Sequence, residues 1–253
     1  MAGVIDWQQK GPLATVTLSN PARMNAMTRV MWRQLREVFL ELSKRTDLRC
    51  VLVQGAGDHF CAGGDISEYP AFRFDPTSLM HFHEVEVWGG LQAMQDCPLP
   101  ILALVRGNCM GAGLEIASCC DLRLGAASSV YGAPIARLGF PMAPREATLV
   151  QAAVGAATAS AMLLAAESFD AAHMLHCGFL AWSAPDEIVQ AKADALLARM
   201  LLLSPEAARL NKQVLSQARP AQGPTPASAY AYAASPEHHE GVQAFLDKRR
   251  PDF

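Results

Sequence analysis

The sequence predicts an α/β fold with parallel strands and a helical C-terminal part. Three observations carry this expectation. Strand-like and helix-like patterns alternate through residue 107, two glycine-rich loops directly follow buried strands, and beyond residue 145 the chain becomes Ala-rich. With 253 residues, 51% of them hydrophobic and 18% charged, there is material for one large core.

The stretch LATVTLS (13–19) alternates apolar and polar residues as a strand does, and NP at 20–21 ends it in a turn. Val30, Met31, Leu35, Val38, Phe39 and Leu42 then recur at three and four, an amphipathic helix between Thr28 and Arg45 with Thr28 as its N-cap. CVLVQG (50–55) reads as a short buried strand stopped by Gly55, a second helical pattern runs from about 77 to 95, and ILALVRG (101–107) is another buried strand. The order strand, helix, strand, helix, strand implies parallel pairing through right-handed crossovers. Further on, 146–165, 185–203, 204–218 and 226–247 favour helix, with Pro185, Pro205 and Pro236 at first turns. RPAQGPTP (219–226) is linker-like, and no internal repeat is found. This C-terminal part is expected to pack on the α/β core or on a neighbouring subunit.

A net charge of −3 lacks the basic footprint of a nucleic-acid binder. Arg106, Glu115, Asp121 and Arg123 interrupt the apolar stretches short of the roughly 20 residues a membrane span needs. No basic segment precedes an apolar one at the N-terminus, so no secretion signal is read. Seven cysteines, an odd number without a CxxC pair, fit reduced thiols in a cytoplasmic protein. His81 and His83 with Glu84 and Glu86 point in several directions at helical spacing and read as a solvated helix face rather than a metal site. The pairs His173/His176 and His238/His239 carry no metal expectation either.

The loops GAGDHFCAGGDI (55–66) and GNCMGAGLE (107–115) hold the chemistry. Neither completes a GxGxxG dinucleotide loop, and the chain has no phosphate-binding GxxxxGK[ST] and no GxSxG nucleophile elbow. Both loops sit at the carboxyl ends of expected parallel strands, where α/β sheets bind ligands. Gly63–Gly64 and Gly111–Ala112–Gly113 let a ligand approach the backbone, and a helix starting near Gly111 leaves its first N–H groups unpaired. One N–H from each loop on one oxygen makes an oxyanion hole. Glu115 is the single acid in that apolar run.

FCAGGDI (60–66), GNCMGAGLEIASCCDLRL (107–124), EGVQAFLDKRRPDF (240–253) and NPARMNAM (20–27) together resemble the signature segments of the enoyl-CoA hydratase/isomerase, or crotonase, superfamily. The resemblance spans nearly the whole chain in the right order. It implies a crotonase-like spiral of ββα units over 1–195 and a C-terminal helical trimerisation region over 196–253, within one structural unit. It also implies self-association as a homotrimer or dimer of trimers, and a CoA thioester as substrate with no tightly bound cofactor. By position, Gly64 and Ala112 give the oxyanion N–H groups and Glu115 is a catalytic acid. Arg23, Met24, Ala26, Ala62, Asp65 and Ile66 lie along CoA, and Phe245 and Lys248 reach its nucleotide end.

The pattern departs from the hydratases at one place. They carry a second Glu after the Pro of a PE dipeptide, and here Pro134 is followed by Ile135. Water addition uses two proton-handling groups, so the full hydratase reaction is put in question. Hydrolysis or decarboxylation of the thioester on the same scaffold, or acyl-CoA binding with weak catalysis, stands beside the hydratase/isomerase reading. Arg145 and Glu146 offer a replacement acid and a site for an acyl carboxylate, but the favoured expectation is an Arg–Glu pair capping a helix. Glu115 is expected to have a raised pKa through desolvation. Tyr69, Phe72, Phe74, Phe82 and Trp88 are available for the acyl wall and read mainly as core.

Overall fold

The computed structural model describes residues 3–217 and 233–251. β1 (Val4–Lys10) and β2 (Leu13–Ser19) form an antiparallel hairpin. α1 (Arg29–Leu42) follows, its N-terminus capped by Thr28 Oγ1, which accepts the Met31 N–H at 3.2 Å. β3 (Cys50–Gly55) then leads to α2 (Pro76–His81) and α3 (Trp88–Asp96), which are joined through a π-helical turn, Phe82–Val87. β4 (Ile101–Val105), β5 (Asn108–Met110), α4 (Ala112–Cys119), β6 (Leu122–Ala126) and β7 (Val130–Gly132) carry the chain back and forth between two sheets. α5 (Pro144–Val154), α6 (Ala156–Leu164), β8 (Ser168–Asp170), α7 (Ala171–His176) and β9 (Trp182–Ala184) complete the α/β part. α8 (Val189–Leu202), α9 (Pro205–Gln217) and α10 (Pro236–Leu246) follow.

The larger sheet has the order β1-β2-β3-β4-β6-β9 and is parallel from β2 onward, as the strand–helix alternation requires. The smaller sheet has the order β5-β7-β8. Side chains alternate across the large sheet. Val16, Val51, Val53, Ile101, Ala103 and Val105 face a core shared with Trp32, Leu35 and Phe39 of α1 and Leu91 of α3. Cys50, Leu52, Leu102, Leu104 and Leu124 face the other way, against Val189, Ala193, Leu196 and Leu197 of α8. Both faces are therefore covered, which is why these strands read as continuous apolar runs.

Several expectations need adjustment. β1 has no alternating apolar signal because, of its residues, only Ile5 is buried. Gly155 divides the expected 146–165 helix into α5 and α6. Pro185 precedes α8 instead of opening it, whereas Pro205 and Pro236 do open α9 and α10. The division after residue 195 falls within α8, whose apolar face belongs to the core. The linker-like 219–226 and the first residues of the helix expected at 226–247 lie outside the described residues. Among the described residues, no helix is long and apolar enough to cross a membrane.

One loop system fixes the carboxyl ends of the strands. The Phe60 N–H donates to the Arg106 carbonyl at 2.8 Å and the Cys61 N–H to that of Asn108 at 2.9 Å. The Met110 N–H returns to the Cys61 carbonyl at 2.9 Å. On its other side this segment meets 24–27: Ala62 N–H donates to the Met24 carbonyl, Met27 N–H to that of Gly63 and Asp65 N–H to that of Met27. Asn25, buried beneath, accepts from the Asn20 N–H and donates to the carbonyls of Ala56 and His59. Gly113 lets α4 seat on this seam, since a Cβ there would lie 2.6 Å from the Cys61 carbonyl oxygen and 2.9 Å from its Cβ. Replacing Gly113 by Ala is expected to destabilise the fold by about 1–3 kcal/mol through overpacking. Urea denaturation should show it as a lower midpoint with an unchanged slope.

Candidate active site

The two glycine-rich loops meet at one cavity of about 360 Å³. Its floor comes from Ala62, Gly63 and Gly64 on one loop and from Met110, Gly111 and Ala112 on the other. Gly63 has φ +119° and Gly111 φ +47°, conformations that side-chain-bearing residues rarely adopt. These twists turn the chain so that the next residues, Gly64 and Ala112, present their backbone to the cavity. Ala112 is the first residue of α4, so its N–H has no acceptor within the helix. Among the described residues, neither the Ala112 nor the Gly64 N–H donates to a protein acceptor.

Glu115 lies in the first turn of α4 and lines the same cavity. Burial first, and then the negative charge of Glu146, raise its pKa to about 8 against the opposing Arg73 guanidinium. Glu115 therefore holds its proton at neutral pH. Glu146, in the first turn of α5, is 1% exposed. Its Oε1 lies 3.0 Å from Nδ1 of His83, and His83 lines the cavity. Nε2 of His83 lies 3.4 Å from Nη1 of Arg73. A guanidinium can only donate, so this geometry favours the tautomer with a lone pair on Nε2 and the proton on Nδ1, donated to Glu146. Arg73, also 1% exposed, is packed over the rings of Phe140 at 3.9 Å and Tyr69 at 4.5 Å. Its Nε donates to Nε2 of the buried His238 at 3.4 Å, which ties the cavity wall to α10.

Gly64, Ala112, Glu115, Ala62, Ile66 and Phe245 are brought together around this cavity. Arg23, Met24, Ala26, Asp65 and Lys248 do not line it. Arg23 and Met24 are exposed beside the loop and Ala26 is buried under it. The Asp65 carboxylate caps the following 3-10 helix, accepting from the Ser67 N–H at 3.1 Å and hydroxyl at 2.6 Å. Lys248 is exposed just after α10.

Two expectations are overturned. Residues 81–86 do not form a solvated face: only His81 and Val85 are exposed, His83 turns inward and Glu86 is buried against Arg29 and Arg33. The π-helical turn is the physical reason, because its extra residue rotates the positions that follow out of α-helical register. Arg145 and Glu146 do not pair as a cap. Arg145 bonds Glu84 at 3.0 Å and stacks 4.1 Å over Trp88, away from the cavity. Of the five aromatics, Tyr69 and Phe82 reach the cavity, joined by Phe140. Sequence reasoning missed Arg73, His83 as a site residue, and Phe140. The one sequence signal for Arg73 is a cation set between two aromatics, Phe72 and Phe74.

The enoyl-CoA hydratase/isomerase family model matches residues 8–253. The chain belongs to this family. It is 29% identical to the 2,3-dehydroadipyl-CoA hydratase of Escherichia coli (strain K12), covering 99% of this chain and 97% of that one. A solved enoyl-CoA hydratase/carnithine racemase from Magnetospirillum magneticum superposes with a TM-score of 0.83 at 32% identity, over 100% of this chain and 96% of that chain. A methylmalonyl-CoA decarboxylase structure shares the fold with a TM-score of 0.87 at 22% identity, over 100% and 98% of the two chains. The crotonase fold is thereby established, and with it an acyl-CoA-processing enzyme whose particular reaction these relatives do not fix.

The raised Glu115 pKa has a consequence for stability. Between its ordinary 4.5 and about 8, Glu115 is protonated in the folded protein and ionised in the unfolded chain. The folded state then binds more protons, so this contribution is complete below pH 4.5 and is lost as pH rises through about 8. The melting temperature of the wild type should fall relative to that of Glu115→Gln across this window. Parallel melting curves for the two proteins would show that Glu115 is not shifted upward.

Proposed function

We propose that this cavity receives the acyl end of a CoA thioester and stabilises its enolate, in a reaction of the enoyl-CoA hydratase/isomerase type. The observation that supports this reading is that Gly64, Ala112 and Glu115 line one cavity, where burial raises the Glu115 pKa. Two N–H donors suit a thioester oxygen that gains negative charge, and they need no reorganisation as the charge develops. Glu115 exchanges a proton with the carbon skeleton beside that oxygen. Coenzyme A enters as part of the substrate, along Arg23, Met24 and Ala26 and the loop of Ala62, Asp65 and Ile66, with Phe245 and Lys248 toward its nucleotide end.

Ile135 lines the cavity where a second acid is expected in the hydratases, which keeps a weakly catalytic acyl-CoA binder as the contrasting reading. Self-association as a trimer or dimer of trimers is supported by the apolar side chains left exposed on and beside α8 and α9, among them Leu202 (85%), Leu215 (73%) and Val214 (66%). Seven thiols without a disulfide are consistent with a cytoplasmic protein.

Two variants test the reading. Glu115→Gln is expected to bind butyryl-CoA as the wild type does and to lose exchange of its α-protons in deuterium oxide, read by mass. Ala112→Pro removes one donor at the helix position where proline is best tolerated. It should lower turnover by about 10²–10³. Wild-type exchange in both folded variants would sink the enolate assignment.

A further inference from the structure

The cavity holds a second proton-handling group on the element opposite α4. His83 reaches the wall because the helix that carries it takes a π-helical turn, a feature concentrated at functional sites. Behind it stands Glu146, 1% exposed, whose side chain is hydrogen-bonded to Nδ1 of His83 at 3.0 Å. A carboxylate taken this far from water is costly unless paired, and its placement behind an imidazole fixes that ring's tautomer and orientation. Glu146 also acts on Glu115 as a nearby negative charge, which places the imidazole–carboxylate pair and Glu115 around one reaction volume. At position 135, where the hydratases carry the second acid, this chain has an isoleucine on the same wall.

We propose that His83 is a catalytic residue that deprotonates water for addition to an enoyl-CoA, with Glu146 as its positioning residue, so that the pair replaces the acid absent at Ile135. This rests on the enolate reading above. In the forward step water takes the place of the long 3.4 Å contact between Arg73 Nη1 and Nε2 of His83, an O–H bond of that water breaks and its proton passes to Nε2, while the oxygen bonds the β-carbon. The π electrons move to the thioester oxygen, held by Gly64 and Ala112. Glu115 then gives its proton to the α-carbon as the enolate collapses. The product has gained one water, His83 is an imidazolium beside the Glu146 carboxylate, and Glu115 is a carboxylate facing the Arg73 cation. Transfer of the imidazolium proton to Glu115 through solvent restores the starting state. The imidazolium has the Glu146 carboxylate at Nδ1, while the Arg73 guanidinium beside Nε2 opposes it and favours prompt release of the proton.

Wild type, His83→Ala and Glu146→Gln are compared on two reactions: hydration of a series from crotonyl-CoA to decenoyl-CoA, and α-proton exchange of butyryl-CoA in deuterium oxide. His83→Ala should lose about 10²–10⁴ in hydration kcat. It should keep exchange within a few-fold, and free imidazole should restore part of its hydration. Glu146→Gln should lower hydration kcat more than it alters exchange, with KM little changed. The proposal is overturned by wild-type hydration in His83→Ala, by equal loss of hydration and exchange, which marks a structural role, or by a wild type that exchanges α-protons yet hydrates none of the series. A wild type that does neither overturns the enolate reading itself.

Discussion

The hydrogen-bonded seam at Cys61 is the constraint on which the site depends. Its N–H and carbonyl both engage the β5 segment, through Asn108 and Met110, so two loops from different strands are locked side by side. Everything downstream inherits that alignment. Gly63 and Gly111 can then turn their successors toward a common point, and α4 can begin at Ala112 with its first N–H unspent. The same seam accounts for Gly113, where any side chain would push the helix off the Cys61 backbone. In the proposed reaction, placement of the thioester oxygen is a backbone property, since neither N–H donor depends on which side chain its residue carries.

Electrostatics adds the second layer. A buried acid with a second carboxylate nearby resists ionisation, because desolvation and repulsion act in the same direction. The structure resolves this by giving the two carboxyls different surroundings. Glu146 is hydrogen-bonded to the His83 ring, whereas Glu115 meets the cavity directly and keeps its proton up to about pH 8. Arg73 moderates the result, and its own position is held by aromatic faces and imidazole nitrogens.

The large sheet and the two glycine-rich loops were legible because they follow local rules. Buried strands show as apolar runs, and glycines mark places where the chain must twist or come close. The hairpin strand β1 was hidden because its exposed faces are polar, and the short strands of the second sheet carry too few residues for a periodic signal. Half of the site was hidden for a different reason. Periodicity arguments assume a uniform helix, and the π-helical turn at Phe82–Val87 shifts the register inside what reads as one helix. His83 and Glu86, assigned to water by that arithmetic, are turned into the protein. Glu146 likewise reads as a first-turn acid favoured by the helix dipole. Nothing local distinguishes a solvated one from one aimed at a partner 63 positions away in the chain.

The absence of an acid at Ile135 therefore has a physical meaning different from a simple deletion. Position 135 sits in a short 3-10 helix between β7 and α5, and an isoleucine there extends the apolar lining. The carboxylate at Glu146 lies on the next element and is too deeply buried to meet a substrate itself. An acid so placed can affect chemistry only through a group that reaches further, and His83 is the group bonded to it. The cavity thus keeps a negative charge near its second wall while presenting an imidazole at the surface of that wall. Such an arrangement separates the charge that orients from the group that transfers, which one carboxylate at position 135 would have to combine.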